Sequence, residues 1–267
     1  MFGKILVGLV LLLAVYMTLV EPYWMRVTKQ ALPIRSLEKP IRALFLSDLQ
    51  LHGQAGYRER WILSQLGKQR VDLILTTGDL FEAPEGMQSA IEFLEQLAEH
   101  APTFAILGNW EHWSHADLEK YRGELEERSI PLLRNQNHVF SNHGQPIYIL
   151  GVDDPGQNLH NLPLAMKGVS PASVKILLAH APVIFPLAET NQIDLVLAGH
   201  THGGQVRIPF IDPLFLPPGC GPYFYGIYKK NESRMLVTSG VGTSILPIRF
   251  WCRPEIVFLD LKPQIIK

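Results

Sequence analysis

Short apolar runs recur along this chain, and amphipathic stretches with helical spacing, such as residues 58–69 and 87–100, separate several of them. Apolar strands that alternate with helices predict an α/β fold in which helices cover the outer faces of the sheets. Several of the runs end at a small residue that is followed by a potential metal ligand. These ligands are Asp48, Asp79, Asn109, His180, and the pair His200 and His202.

The strand ends predict a ligand site. In α/β sheets, sites gather at the carboxyl ends of the strands, and Gly78, Gly108 and Gly199 allow the chain to turn there. Each ligand has an ordinary alternative when it is taken alone: an aspartate capping a turn, a core histidine, a surface loop. Taken together, carboxylate, amide and imidazole donors suit a pair of Zn, Mn or Fe ions better than Ca or Mg alone.

Composition excludes several classes of protein. Lysine and arginine total 24 against 25 acidic residues, so the net charge of −1 argues against binding to a nucleic-acid backbone. Only Cys220 and Cys252 are present, which excludes a disulfide framework and a cysteine-rich zinc site. We therefore expect no nucleic-acid partner.

The first segment of the sequence is apolar. Residues 5–20 carry no charge, and Tyr23, Trp24, Arg26 and Lys29 follow as expected at a membrane interface. A cleaved signal peptide is the alternative, but no small-x-small cleavage site follows the run. We predict a membrane anchor over residues 1–25, a linker over 26–40 and a catalytic domain over 41–267. The predicted location is a single pass in the inner (cytoplasmic) membrane, and the side that the domain faces stays open.

The ligand blocks resemble those of the calcineurin-like metallophosphoesterases, and among these the bacterial membrane-associated YkuE/YaeI-like branch. That branch is indicated by LAGHTHGGQVRIP at 197–209, by SGVGTSILPIRFWCRPEI at 239–256, and by Glu21-Pro22 after the apolar run. The resemblance implies two packed mixed β-sheets flanked by helices. It also implies two divalent metal ions, whether Mn, Zn, Fe or Mg.

The resemblance also implies roles by position. Asp79 would bridge the ions, Asp48 and His202 would hold the first, and Asn109, His180 and His200 would hold the second. A metal-bridging hydroxide would then attack the phosphorus in line.

Two positions depart from the family pattern. Gln50 stands where the family has a histidine ligand; we keep it as a predicted ligand, a weaker one, with His52 as the alternative. Trp110 stands where the family has the histidine that protonates the leaving oxygen, which makes His112 the candidate catalytic residue. Trp110 and Trp113 either form a substrate-binding wall or pack on the following helix.

The sequence thus predicts a membrane-anchored, metal-dependent hydrolase of phosphodiester or pyrophosphate bonds, with a lipid or nucleotide-linked lipid as substrate. One alternative is a UDP-sugar-lipid pyrophosphatase of the lipid A pathway. Another is a degenerate metal- or ligand-binding protein without hydrolytic activity, which Gln50 and Trp110 favour. The apolar loop 209–218 is either a buried connection or a surface that faces the bilayer.

Overall fold

The chain forms two β-sheets in a computed structural model that describes residues 2–53, 56–211, 213 and 215–264. In spatial order, the strands of the first sheet are β1 (Arg26–Ile34), β11 (Glu255–Pro263), β2 (Ile41–Leu46), β3 (Leu73–Thr76) and β4 (Thr103–Phe104). The order in the second sheet is β5 (Gln136–Asn142), β6 (Gln145–Gly151), β7 (Val174–Leu178), β8 (Leu195–Ala198), β10 (Ser233–Val237) and β9 (Gly226–Lys230). Both sheets mix parallel and antiparallel pairs.

The two sheets pack face to face, and helices cover their outer faces. Phe45 and Leu259 of the first sheet share one buried cluster with Ile149, Ile176 and Leu197 of the second. The helices are α2 (Tyr57–Leu66), α3 (Pro84–Ala98), α4 (Asn109–Trp113), α5 (Leu118–Glu127), α6 (Leu162–Ala165) and α7 (Phe185–Thr190). This architecture confirms the predicted fold class.

Residues 26–34 form strand β1, where the sequence analysis expected a linker over 26–40. The strand pairs in parallel with β11 along its whole length, and Leu32 and Ile34 are buried. It escaped the sequence analysis because it lies at the sheet edge, where most side chains stay in contact with solvent and where Pro33 is tolerated. Strand β5 is also polar and also lies at a sheet edge, and it was missed for the same reason.

The N-terminal segment is helical from Phe2 to Tyr23. It begins as helix α1 (Phe2–Val15), widens to a π-helical turn over Tyr16–Val20 and ends in a 3-10 turn over Glu21–Tyr23. These 22 residues have a mean hydropathy of 2.3 and are long and apolar enough to cross a membrane.

The end of this helix is joined to the body of the protein. The Met17 carbonyl accepts the N–H of Arg249 at 2.9 Å, and the buried Glu21 carboxylate accepts the N–H of Cys252 at 2.5 Å. Met25 lies in the core of the first sheet. The predicted anchor boundary at residue 25 therefore falls inside the packed body, since the contacts begin by Met17.

Candidate metal centre

The predicted ligands meet where the carboxyl ends of the two sheets face each other. Asp48, Asp79 and Asn109 follow β2, β3 and β4, whereas His180 and His200 follow β7 and β8. All are buried, and so are Gln50 and His202. Left-handed backbone with positive φ occurs at Asp48, Gln50, Asp79, His200 and His202. Such a concentration of uncommon backbone conformations is typical of functional sites.

One group of donors forms a tight cage around the His180 Nε2 atom. Asn109 Oδ1 lies 3.0 Å from it, and Asp79 Oδ2 and His200 Nδ1 each lie 3.1 Å from it. Two imidazole nitrogens, one carboxylate oxygen and one amide oxygen therefore point at a common centre. This donor set is one that Zn, Mn and Fe ions accept.

Backbone carbonyls orient both rings of this cage. His180 Nδ1 lies 2.7 Å from the Thr77 carbonyl oxygen, and His200 Nε2 lies 2.7 Å from that of Pro218. A carbonyl only accepts, so each ring places an N–H on its outer nitrogen and leaves the inner nitrogen for the site. Outer partners of this kind fix histidine ligands in metal sites.

The electrostatics favour a cation at the same point. Burial lowers the pKa of His180, but the nearby Asp79 carboxylate outweighs it and raises the pKa to about 10. The Asp79 carboxylate thus stabilises a positive charge at this point. A divalent ion could supply that charge in place of the proton on His180. The residues present therefore fit a metal ion.

A second group, Asp48, Gln50 and His202, is more loosely arranged. His202 Nε2 lies 3.7 Å from Asp48 Oδ1 and 3.1 Å from Gln50 Nε2. Gln50 Oε1 and His202 Nδ1 are buried without a hydrogen-bond partner among the described residues. Burial lowers the pKa of His202 to about 4, which keeps the ring neutral and available as a ligand.

His52, the alternative to Gln50, has another partner. Its side chain is largely exposed, and its Nε2 atom lies 3.3 Å from the Glu82 carboxylate. The structure therefore places Gln50, and not His52, beside His202.

Glu111 positions the Asp79 loop, and the sequence analysis did not select it. Its buried carboxylate accepts the N–H groups of Gly108, Asp79 and Leu80 at 2.8, 3.0 and 2.5 Å. Burial, reinforced by the Asp79 charge, raises the pKa of Glu111 to about 7. Glu111 stands three residues after Gly108, the N-cap of the helix, and its bond to the Gly108 N–H is the carboxylate half of a capping box. The spacing of this half was present in the sequence.

A loop from the other end of the chain closes the Asp48 side. A Cβ atom on Gly240, whose φ is +65°, would lie 2.7 Å from Asp48 Cβ, and one on Gly242 would lie 2.9 Å from Gln50 Oε1. Arg249 is fully buried and donates to the carbonyls of Ser239, Gly242 and Cys252. Close approach to Asp48 and Gln50 explains why glycines stand in the segment 239–256, on which the resemblance rests. The contact between this segment and Asp48 is long-range, so the sequence alone does not show it.

The remaining predicted residues surround Asp79 and the end of β6. The Trp110 N–H donates to Asp79 Oδ1 at 2.9 Å, and its indole N–H donates to Ser244 Oγ. Trp113 packs edge-to-face on Trp110 with ring centroids 5.5 Å apart and is half exposed. His112 Nε2 lies 2.6 Å from the buried carboxylate of Asp153. Asp153 follows a strand like the predicted ligands, so the same signal would have found it.

Comparison with known proteins places these features in a family. The sequence model of the calcineurin-like phosphoesterases matches residues 41–204. The chain is 32% identical to "Phosphodiesterase YaeI" of Escherichia coli over 92% of both chains. It is 30% identical to a "Transmembrane protein with metallophosphoesterase domain" of Danio rerio over 89% of this chain and 57% of that protein. Its fold is similar to that of TT1561 from Thermus thermophilus, with a TM-score of 0.52, 14% identity, and coverage of 75% of this chain and 90% of that one.

Proposed function

The chain belongs to the calcineurin-like phosphoesterase family, and from this premise we propose a metal-dependent hydrolase of phosphodiester or pyrophosphate bonds, held at a membrane and acting on a lipid-linked substrate. Hydrolysis of phosphoesters is the activity of the family. The preference for diesters or pyrophosphates, the anchoring, and the lipid substrate are the parts proposed here.

The donor cage around His180 Nε2 is the observation that carries the proposal. Asn109, His180 and His200 would hold one divalent ion, Asp48, Gln50 and His202 would hold the other, and Asp79 would be shared. Divalent ions bound there polarise phosphoryl oxygens and lower the pKa of bound water. The chain supplies the orientation, because Glu111 fixes the Asp79 loop and two carbonyls fix the histidine rings.

We assign proton donation to the leaving oxygen to His112. The indole N–H of Trp110 is bonded to Ser244 and carries no proton that can be transferred at neutral pH. With Nε2 of His112 bonded to Asp153, its Nδ1 atom is the nitrogen left for proton exchange. Trp110 and Trp113 would supply an apolar wall for the organic part of the substrate.

The N-terminal helix supports the proposed membrane attachment. The helix has 22 residues. The 15 of them that precede its hydrogen bonds with the body, residues 2–16, span about 22 Å at 1.5 Å per residue, most of a bilayer core. We propose a single pass in the inner membrane, with the phosphoesterase domain joined directly to the helix end. An active site held at a bilayer favours a lipid or nucleotide-linked lipid as the phosphoester.

The test combines metal analysis with a substrate series on the purified full-length chain. We expect bound divalent metal by elemental analysis. We also expect Mn-stimulated hydrolysis of bis-p-nitrophenyl phosphate, and faster hydrolysis of a lipid-linked diester or a UDP-sugar lipid in mixed micelles. The Asp79→Asn protein is the control without activity. The proposal would be refuted if the purified protein contained no divalent metal and hydrolysed none of these esters in the presence of Mn. Hydrolysis of the water-soluble esters alone would refute the lipid part of the proposal.

The role of His112 has its own test in the leaving group. The variant His112→Gln should lose about 10²-fold in rate on a diester with an alkyl leaving group. It should lose little on the p-nitrophenyl ester, whose leaving group needs no proton. Equal losses on both esters would assign His112 a structural role instead.

A further inference from the structure

Apolar side chains are exposed together on two loops beside the metal centre. The loop after His202 exposes Phe210, Ile211 and Phe215, and the loop after Gly242 exposes Ile245, Leu246 and Trp251. Phe215 and Ile245 are each 86% exposed, and Trp251 is 62% exposed. We call these six residues the apolar rim. A cluster of large apolar side chains in contact with solvent marks an interaction surface.

The backbone holds three of these side chains outward at some cost. Phe210, Ile245 and Trp251 have φ values of +68°, +63° and +55°. Left-handed backbone is uncommon for residues other than glycine, and it is an outlier for a β-branched residue such as Ile245. Strained backbone at residues with exposed apolar side chains indicates that their exposure has a function.

The two loops form one unit at the edge of the metal centre. The Gln205 side chain accepts the N–H of Ser244 and donates to the carbonyls of Ser244 and Leu246. Main-chain bonds then join Gln205 and Arg207 to Phe250. Gln205 lies three residues after His202, and Ser244 accepts the indole N–H of Trp110. The rim therefore lies on two loops that are joined to each other, to the segment that carries His202 and to Trp110.

The same unit is fixed to the apolar helix. Arg249 and Cys252, which lie two residues before and one residue after Trp251, donate their backbone N–H groups to Met17 and Glu21 near the end of that helix. The Tyr16 and Phe250 rings pack edge-to-face, with centroids 6.4 Å apart. The rim is thus placed at the level where the helix would leave a bilayer.

Aromatic and basic residues at this level match a lipid interface. Trp24 is exposed next to the helix end, and the Arg253 guanidinium lies 4.1 Å from its ring centroid. Tryptophan and arginine are enriched where membranes meet water, and arginine is attracted to anionic headgroups. The surface beside the helix end therefore has the chemistry of a membrane contact.

We infer that the apolar rim inserts into the interfacial layer of the bilayer that holds the N-terminal helix, as a second contact that presents the site to lipid headgroups. The inference rests on the proposed anchoring and deepens the proposed function. It names the substrate source as phosphoesters lying in the bilayer surface and makes the rim the entrance for them.

The test uses the full-length chain in nanodiscs of phosphatidylethanolamine and phosphatidylglycerol. Single cysteines at Phe210 and Phe215 carry an environment-sensitive fluorophore, and the native Cys220 and Cys252 are buried. Leu11→Cys in helix α1 is the positive control, and Val139→Cys on the remote strand β5 is the exposed negative control. We expect blue-shifted emission and quenching by spin-labelled lipid at 11, 210 and 215, and neither at 139.

Each other result has a definite meaning. Quenching at 11 but not at 210 or 215 would overturn the inference and leave the anchoring standing, whereas no quenching at 11 would overturn both. Shielding at 210 that depends on protein concentration, without quenching by lipid, would show that a second copy covers the rim and would also overturn it.

Hydrolysis rates test the same inference independently of the fluorescence measurement. The double variant Phe210→Ser and Phe215→Ser should keep hydrolysis of bis-p-nitrophenyl phosphate within about twofold. It should lose about tenfold or more on a phosphoester embedded in the nanodisc, because the two aromatic side chains that would enter the bilayer no longer hold the site at its surface. Equal rates on the embedded ester would contradict the inference. Inactivity of the unmutated protein on every ester would refute the proposed function without affecting the fluorescence result.

Discussion

The two halves of the metal centre differ in how far the protein prepares them. Around His180 Nε2, three donors lie at 3.0–3.1 Å, and both rings are held by carbonyl groups. Around His202, the nearest carboxylate oxygen lies 3.7 Å away, and two buried polar atoms lack partners among the described residues. We call these the Asp79 half and the Asp48 half.

The Asp79 half is the better prepared of the two to bind an ion. In the Asp79 half, the orientation of the ligands is fixed before an ion arrives, so little ordering entropy is lost on binding. In the Asp48 half, an ion must still organise the ligands, and one of them is a neutral amide. We therefore expect the Asp79 half to bind metal more tightly and the Asp48 half to set the dependence on added metal.

Loss of Asp79 should have the strongest effect, because we propose that this carboxylate is shared by both halves. Asp79→Asn should reduce hydrolysis by at least about 10³-fold, since the loss of a shared anionic ligand removes several kcal/mol of charge stabilisation. Bound metal should fall in parallel, as measured by elemental analysis. Asp260→Asn, which alters a surface ion pair, is the control and should behave like wild type. Near-normal activity in Asp79→Asn would mean that the two halves do not share this ligand.

The second prediction removes the support of the tight half. Glu111→Gln leaves at least one of three backbone N–H groups facing an amide nitrogen that cannot accept, which should cost about 2–3 kcal/mol in the free energy of unfolding. Chemical denaturation measures this loss. The exposed Glu119 gives the matched control Glu119→Gln, with no expected change. If both variants unfold alike, Glu111 does not hold the Asp79 loop.

The third prediction strengthens the loose half. Gln50→His should raise metal affinity there by about tenfold, because imidazole is a better ligand than an amide for borderline ions. Histidine also tolerates the positive φ found at residue 50. Calorimetric titration with Mn, followed by activity, measures the change. The reciprocal control His52→Gln should leave the titration unchanged; if it weakens binding instead, His52 is the ligand.

The fourth prediction concerns Asp153, whose carboxylate bonds to His112 outside both halves, and it has the weakest expected effect. Burial raises the pKa of Asp153, but hydrogen bonds from His112 and Arg134 outweigh it and hold the pKa below its usual range. The stabilisation is therefore present above about pH 4, the unfolded value, and is lost as the pH falls through the lower folded value. Asp153→Asn should cost about 1 kcal/mol near pH 6, and the gap from wild type should narrow below about pH 4. A gap that stays constant with pH would contradict this account.

Strand ends made much of the centre predictable from the sequence. Asp79, Asn109 and His180 each follow a buried apolar run, and burial on both faces is what makes such runs visible. Glu111 and Asp153 could also have been selected from the sequence, since Glu111 stands at the start of a helix and Asp153 follows an apolar strand. Gly240 and Gly242 lie in the segment 239–256 on which the resemblance rests, but nothing local in the sequence shows that they contact Asp48 and Gln50 some 190 residues away, because only folding brings them there.

The chemistry of the centre is divided between the two sheets in a way that has a thermodynamic consequence. The first sheet brings oxygen donors, which are Asp48, Asp79 and Asn109, and the second brings the nitrogen donors His180 and His200. An ion bound by ligands from both sheets would therefore link the two sheets across their interface. At a hundredfold excess over its dissociation constant, such an ion adds about 2.7 kcal/mol to the stability of the docked state. Removal of the metal with a chelator should consequently increase amide hydrogen exchange first in the strands that form the interface between the two sheets.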